Sequence, residues 1–257
     1  MPLNLLFKAS IFSKNSIENV FYFTLSATFV KKFTANLLFV KIMNKLISLT
    51  EAVDKIKDGM VLMVGGFLTT GGPNSLMDKL SETPVKDLTI ICNDAAFDNK
   101  GMGKLIANGQ VRKIITSYIG SNTAAVDQMN GGTLEVEFVP QGTLAERVRA
   151  GGSGLGGVLT PTGLGTRVEE GKQVVEVDGK KFLLEKPLRA DVALLGASMA
   201  DESGNLYFKG TTRNFNPIMA MAADLVMAEA QEIMKNGGIQ PENVHTPAIL
   251  VDFIFKK

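Results

Sequence analysis

Two uncharged amides, Asn93 and Gln141, stand where function tends to collect in α/β chains, each just beyond an apolar run that reads as a strand. An amide cannot be a nucleophile. Its N–H can, however, donate to a carbonyl oxygen that turns negative in a tetrahedral transition state, or it can simply cap a loop. The residues that could attack are poorly placed. The only cysteine, Cys92, closes an apolar run, and single buried cysteines behave mostly as small hydrophobes. The only histidine, His245, lies beside Pro247 and is expected at the surface or as a cap. A Cys–His pair would exist only if folding joined them. There is no His/Cys cluster and the carboxylates are scattered, so no metal site is expected. The chain thus offers hydrogen-bond donors without an activated nucleophile.

A second candidate is the stretch from Asp58 to Pro73. Met60 to Val64 is wholly apolar, as in a strand buried on both faces. Gly65, Gly66, Phe67, Leu68, Thr69, Thr70 and Gly71 then form a glycine-rich turn that leads through Gly72 to Pro73, which suits a first helical position. Asn74 to Leu80 puts Leu76, Met77 and Leu80 on one helical face. Such a turn at a strand's carboxyl end exposes backbone N–H groups to a ligand; read only as chain geometry, it is a tight turn that needs positive φ. It is not a phosphate P-loop, because no Gly-Lys-Ser/Thr follows.

These residues must be held by elements that alternate in the α/β manner. Ser48 to Glu51 has capping-box spacing before a helix that Gly59 ends. Leu88 to Cys92, Lys113 to Ser117 and Leu134 to Val139 read as strands, with helices within 100–110, over 123–129 and over 143–150. The run Gly151 to Gly157 contains a formal Gly-x-Gly-x-x-Gly, but a helix precedes it and extended chain follows, so it reads as a loop over the active face rather than a dinucleotide site. Gln173 to Val177 and Lys181 to Leu184 flank Asp178-Gly179, a hairpin expected at a sheet edge. Val192 to Leu195, Leu206 to Phe208, Leu225 to Ala228 and Ile249 to Phe255 read as further strands, with a helix over 218–223. The fold class is α/β: an open, mostly parallel sheet with helices on both faces and a small antiparallel hairpin insertion, one domain from 43 to 257.

Composition limits the partners. Net charge is +1 with no long basic run, which gives no support to nucleic acid or an acidic membrane as a partner. One cysteine permits no internal disulfide, which fits a reducing, cytoplasmic setting. Residues 1–42 differ from the remainder: they are rich in Phe, Lys and Asn, hold Glu18 as their only acid, and contain no glycine. Lys14, Glu18 and Lys31-Lys32 interrupt any membrane span. We read this segment as an extension outside the fold, either an upstream mis-start with translation beginning at Met43 or a presequence.

The spacing Asp58-Gly59, three aliphatics, Gly65-Gly66-Phe67, Gly71 and Pro73 resembles the signature of the alpha subunit of family I coenzyme A transferases. Ser117-Tyr118-Ile119-Gly120, Pro140 to Arg147, Thr160-Pro161-Thr162-Gly163 and Arg213-Asn214-Phe215-Asn216 are similar to the alpha subunits of acetate (butyrate-acetoacetate) and 3-oxoacid CoA transferases. The resemblance implies a CoA-transferase (NagB-like) fold and a ping-pong reaction whose nucleophile is a glutamate in a Ser-Glu-Asn-Gly motif of the beta subunit. No such tetrapeptide occurs in this chain. It further implies that Gly65 to Gly71 contributes to CoA binding, that Gln141 meets the substrate carbonyl, and that Asn93 lies at the active site. CoA is then a substrate, no tightly bound cofactor is expected, and the partner is a beta subunit in an αβ or α2β2 assembly. Asp94 and Ser121 stand where some 3-oxoacid enzymes carry Asn and Glu, which leaves the acyl acceptor open. A CoA- or sugar-phosphate-binding regulator on the same fold is the alternative, and a sugar-phosphate isomerase would need a base that no segment advertises.

Overall fold

A computed structural model describes residues 45–257. The expectation about residues 1–42, and about a start at Met43, lies outside the described residues. The capping box forms as its spacing requires: Ser48 Oγ accepts from the Glu51 N–H at 3.1 Å while Glu51 Oε2 accepts from the Ser48 N–H at 2.7 Å. Helix α1 (Leu49–Val53) nevertheless stops well before Gly59. Strand β1 (Val61–Val64), the glycine turn and α2 (Asn74–Ser81) follow. Next come β2 (Leu88–Cys92), α3 (Gly103–Ala107), β3 (Val111–Thr116), α4 (Thr123–Asn130), β4 (Glu135–Phe138) and α5 (Gln141–Gly152). The second half holds β5 (Val158–Thr160), β6 (Gln173–Val177), β7 (Lys180–Glu185), β8 (Ala190–Asp201), β9 (Leu206–Tyr207), α6 (Asn216–Met219), β10 (Ala223–Met234) and β11 (Phe253–Lys256).

Among the described residues, the main sheet has eight strands in the order β11-β10-β8-β1-β2-β3-β4, with β9 pairing β8. Every pair in that order is parallel, and β9 alone runs antiparallel to its neighbour. The chain winds one way from β1 to β4 and the other way from β8 to β11, so the strand order reverses between β1 and β8. A crevice outside the carboxyl ends of strands opens at such a switch point. The glycine turn leaves β1 there.

The two-residue period of the strands divides the core. Leu62, Val64, Ile90, Ile114 and Leu194 pack under α1, α2, α3 and α4. Met63, Ile91, Ile115, Ala193 and Leu195 face α5 and α6. Both faces are therefore covered, as a parallel sheet requires. No helix among the described residues is long and apolar enough to cross a membrane.

Several expected boundaries shift. The expected hairpin does form, with Asp178 at φ +50° and Gly179 at φ +70°, but it is not an edge of the main sheet. It recruits β5 into a separate antiparallel sheet of three strands, β5-β7-β6. Strand β8 continues through Gly196, Ala197 and Ser198, which read locally as its end, because β10 pairs with it as far as Asp201↔Met234. Strand β10 extends equally far, while 248–250 is a short 3-10 turn and not the start of a strand. Helix α6 begins at Asn216 and makes one turn, since Ala223 already belongs to β10. Gly151 and Gly152 are the last residues of α5 and not a loop; a Cβ on either would collide with the chain at Leu188 or Met221.

A ladder of alternating charges fixes α5. Lys113 Nζ lies 3.2 Å from Glu137 Oε2, Arg147 Nη1 donates to Glu137 Oε1 at 2.9 Å, Arg147 Nε lies 3.8 Å from Glu185 Oε2, and Lys172 Nζ lies 2.6 Å from Glu185 Oε1. Burial pushes the Glu137 carboxyl up, but hydrogen bonds from Arg147 and Lys113 outweigh it and hold the group below the usual glutamate range. The Glu185 side chain is 2% exposed, so its charge depends on these cations. Arg147→Met is expected to lower stability by about 2 kcal/mol, because Glu137 loses a charge-assisted hydrogen bond and Lys186 O its donor, while Glu185 keeps Lys172. Urea unfolding measures this, and an unchanged midpoint would contradict the ladder's importance.

Candidate active site at the switch point

The glycine turn lies directly on the backbone of β8. A Cβ on Gly196 would sit 2.5 Å from Gly71 O and 2.6 Å from Gly72 C, and one on Gly71 would sit 2.5 Å from Thr212 O. A Cβ on Gly65 would overlap the Asn216 amide. Gly66 and Gly71 also have φ of +125° and +74°. Glycine is required here both for close approach and for backbone conformation.

Two asparagines clamp this contact. Asn216, fully buried, accepts from the Gly196 N–H through Oδ1 at 3.1 Å and donates from Nδ2 to Gly71 O and Thr212 O, both at 2.9 Å. Asn214 accepts from the Gly66 N–H at 3.0 Å and donates to Thr70 O at 3.1 Å. This is the physical role of Arg213-Asn214-Phe215-Asn216, whose amides the sequence reading did not assign. Pro73 stands at the N-cap of α2 and not at its first helical position. It has no side-chain acceptor, and Glu229 of β10 takes over by accepting from the Leu76 N–H at 2.9 Å. Burial raises the Glu229 pKa against the hydrogen bonds it accepts from Leu76 and Ser75.

The turn leaves open only part of the set of N–H groups that the sequence suggests. Gly65, Gly66, Phe67, Leu68 and Thr70 all donate their N–H within the protein. Phe67 and Thr70 bond to each other twice, at 3.0 and 2.9 Å, and present Leu68-Thr69 at the tip. Among the described residues, the backbone N–H groups of Thr69, Gly71 and Gly72 make no hydrogen bond.

Asn93 and Gln141 do come together. Gln141 is the first residue of α5 and exposed, whereas Asn93 is 2% exposed at the end of β2. Gln141 Nε2 donates to Asn93 Oδ1 at 2.6 Å, and Asn93 Nδ2 donates to Asp94 Oδ2 at 2.6 Å. The same Asp94 oxygen accepts from the Leu68 N–H at 2.8 Å, while Oδ1 accepts from the Ala96 N–H at 2.8 Å. One chain of hydrogen bonds thus runs from Gln141 to the glycine turn. Sequence reasoning noted Asp94, directly after a strand, but gave it no role in the site. The motif Ser117-Tyr118-Ile119-Gly120 supports the segment from behind, with Ser117 Oγ donating to Asn93 O at 2.6 Å and the Ala95 N–H to Tyr118 O at 3.0 Å.

Cys92 and His245 are engaged separately. Burial pushes the Cys92 thiol far up, away from the reactive thiolate, and its hydrogen-bond partner is Thr116. His245 stacks on Tyr207 and Phe208, with ring centroids 5.0 and 6.2 Å away, and its Nδ1 accepts from the Phe208 N–H at 3.1 Å.

The space around the turn is small. One cavity of about 20 Å³, bounded by Gly66, Leu68, Asn74, Asn93 and Asp94, has room for about one water. A second of about 210 Å³ lies on the other side, between Thr69–Gly72, Ser198, Thr212 and Glu229. Both fall below the roughly 300 Å³ of ordinary ligand pockets. A larger open hollow of about 520 Å³, between Asp54–Asp58 and Thr83–Val85, is at the opposite, amino end of the strands and holds none of these groups. The carboxyl rim is instead lined by exposed aromatics, Phe67, Phe97 and Tyr118 after β1, β2 and β3 and Phe138 closing β4, at 48, 37, 53 and 50% exposure.

Asn216→Ala leaves Gly196 N, Gly71 O and Thr212 O without their buried partner. It is expected to cost at least about 2 kcal/mol and to speed amide exchange at Gly196. Amide exchange that stays slow at Gly196 would show that the clamp does not hold the turn.

Comparison with known proteins agrees with this geometry. The coenzyme A transferase family model matches residues 46–257. The chain is 51% identical over 214 residues to the acetoacetyl-CoA:acetate/butyrate CoA transferase alpha subunit of Clostridium acetobutylicum, covering 83% of this chain and 98% of that one. It is 50% identical over 210 residues to the acetate CoA-transferase subunit alpha of Escherichia coli K12, covering 82% and 96%. In three dimensions it is similar to the acyl-CoA transferase YdiF of Escherichia coli O157:H7, with a TM-score of 0.77 and 24% identity, and here it spans 84% of its own length but only 48% of that longer chain. A glycine turn fused to a neighbouring strand, joined by amides to a strand-end pair, is thus set in a chain whose whole described length matches one enzyme family: the protein belongs to the coenzyme A transferases.

Proposed function

We propose that this chain is the alpha subunit of a transferase that moves CoA between an acyl-CoA and a short-chain carboxylate such as acetate, butyrate or acetoacetate, and that the attacking carboxylate is a glutamate of a beta subunit. The observation that carries the reading is the hydrogen-bonded line from exposed Gln141 through Asn93 and Asp94 to the glycine turn. It supplies a polar donor at a rigid position beside a turn, and Cys92 and His245 are both withheld from catalysis. The small cavities and the exposed aromatic rim fit a site that a second chain completes. Relatives named alpha subunits of acetate and acetoacetyl-CoA transferases support both the substrates and the partner.

The reaction runs in two halves. The partner glutamate attacks the acyl-CoA carbonyl, the thiolate leaves, and an acyl-glutamyl anhydride forms. The thiolate then attacks the glutamyl carbonyl of the anhydride, releasing the carboxylate and leaving a glutamyl-CoA thioester that a second carboxylate takes apart in reverse. Each thioester is exchanged for another, so the equilibrium needs no ATP. Covalent catalysis divides one difficult exchange into easier steps. The role of this chain is to orient the thioester and to meet the developing oxyanion with the Gln141 amide.

The test is co-expression with the beta subunit and a CoA-exchange assay over acetate, butyrate, acetoacetate and succinate. Gln141→Ala in that pair is expected to lower turnover by about 10²-fold. Near-normal turnover would remove Gln141 from the mechanism, and an inactive wild-type pair on every acceptor would overturn the assignment.

A further inference from the structure

We infer that Asp94 is the positioning residue of this site, setting the direction in which the Gln141 amide points and tying it to the glycine turn; this rests on the role proposed for Gln141. The argument is one of donor and acceptor polarity. An ionised carboxylate accepts and never donates. Asp94 lies against two groups that can only donate, the N–H of Leu68 and the N–H of Ala96, at 2.8 Å each. The remaining neighbour, Asn93, has a side chain that can face either way. Beside an acceptor-only carboxylate it must turn its Nδ2 inward, and it does, at 2.6 Å. Its Oδ1 then faces outward and only a donor can meet it, so Gln141 must present Nε2, also at 2.6 Å. The direction of two amides, ordinarily interchangeable, is thus fixed by one acid. With Nε2 bound on one side, its second hydrogen remains as the donor for substrate.

The same carboxylate holds the turn. Leu68 has φ +55°, a conformation that a branched side chain rarely adopts, and its N–H is the one that Asp94 binds. Asp94 is 5% exposed, so neither contact is shared with bulk water.

Two substitutions in the full αβ enzyme separate these roles. Asp94→Asn keeps one carbonyl acceptor for Leu68 but allows Asn93 and Gln141 to reverse. It is expected to lower kcat by about 10-fold or more while KM for acyl-CoA changes by less than about 3-fold. Asp94→Ala also frees the turn and is expected to raise KM as well. Combined with Gln141→Ala, Asp94→Asn should add almost nothing further to the loss in kcat, because both act through one amide. Losses that multiply independently, or a normal kcat for Asp94→Asn, would overturn the inference. A direct readout needs no turnover. In side-chain amide spectra of the isotopically labelled full chain, the Gln141 proton bonded to Asn93 Oδ1 should be shifted away from its free partner, and Asp94→Asn should split or broaden those signals. Unchanged signals would overturn the inference even with an active pair, whereas an inactive wild-type pair with altered signals would defeat only the proposed reaction.

Discussion

The backbone of one loop rests on the backbone of the neighbouring strand, and much of the molecule follows from that contact. Gly71 and Gly72 meet Gly196 so closely that a single Cβ on Gly196 would push the loop off the strand, and one on Gly71 would collide with Thr212 on its other side. Backbone groups pressed together out of water must find partners. The side chains of Asn216 and Asn214 supply them, which is why a one-turn helix begins at Asn216 and why two amides, each both donor and acceptor, are used instead of a charged pair. The small residues Gly196, Ala197 and Ser198 let β8 pass under the turn, and β10 stays paired beside it, so the sheet extends beyond β1 and backs the crevice.

Rigidity at the other wall has a different origin. Gln141 opens α5, and α5 is held by charge: Arg147 reaches Glu137 on β4 and approaches Glu185 on the inserted sheet. Removing charges from water is costly, so such a ladder is weak evidence for stability, but it permits little sliding once formed. Between these two walls, Asn93 and Asp94 at the end of β2 transmit position from one to the other. The fold thereby places a donor on a helix N-terminus and a backbone turn in fixed relation without burying a nucleophile.

The local pattern made the layers legible. Short apolar runs at Met60–Val64 and Leu88–Cys92 read as strands buried on both faces, and the helices alternating with them pointed to a parallel order. What it concealed was tertiary. Gly196-Ala197-Ser198 looked like the end of a strand because small residues carry no periodic signal, and only the turn above them explains their size. The hairpin at Asp178-Gly179 was visible, but its recruitment of Val158–Thr160 from a distant stretch was not. Asn93 and Gln141 could be picked out as polar strand-end residues, yet their mutual bond depends on a separation of 48 positions. Asp94, Asn214 and Asn216 bind backbone groups far away in sequence, and no spacing rule encodes such partners.

The central claim is a division of labour: this polypeptide holds and polarises the thioester while another supplies the group that becomes covalently attached. The most direct test is intact mass spectrometry of both subunits after the assembled enzyme is mixed with acetoacetyl-CoA and no acceptor. The account predicts a mass increase of one CoA thioester adduct on the partner subunit and none on this chain. An adduct on this chain, with the partner unmodified, would contradict it.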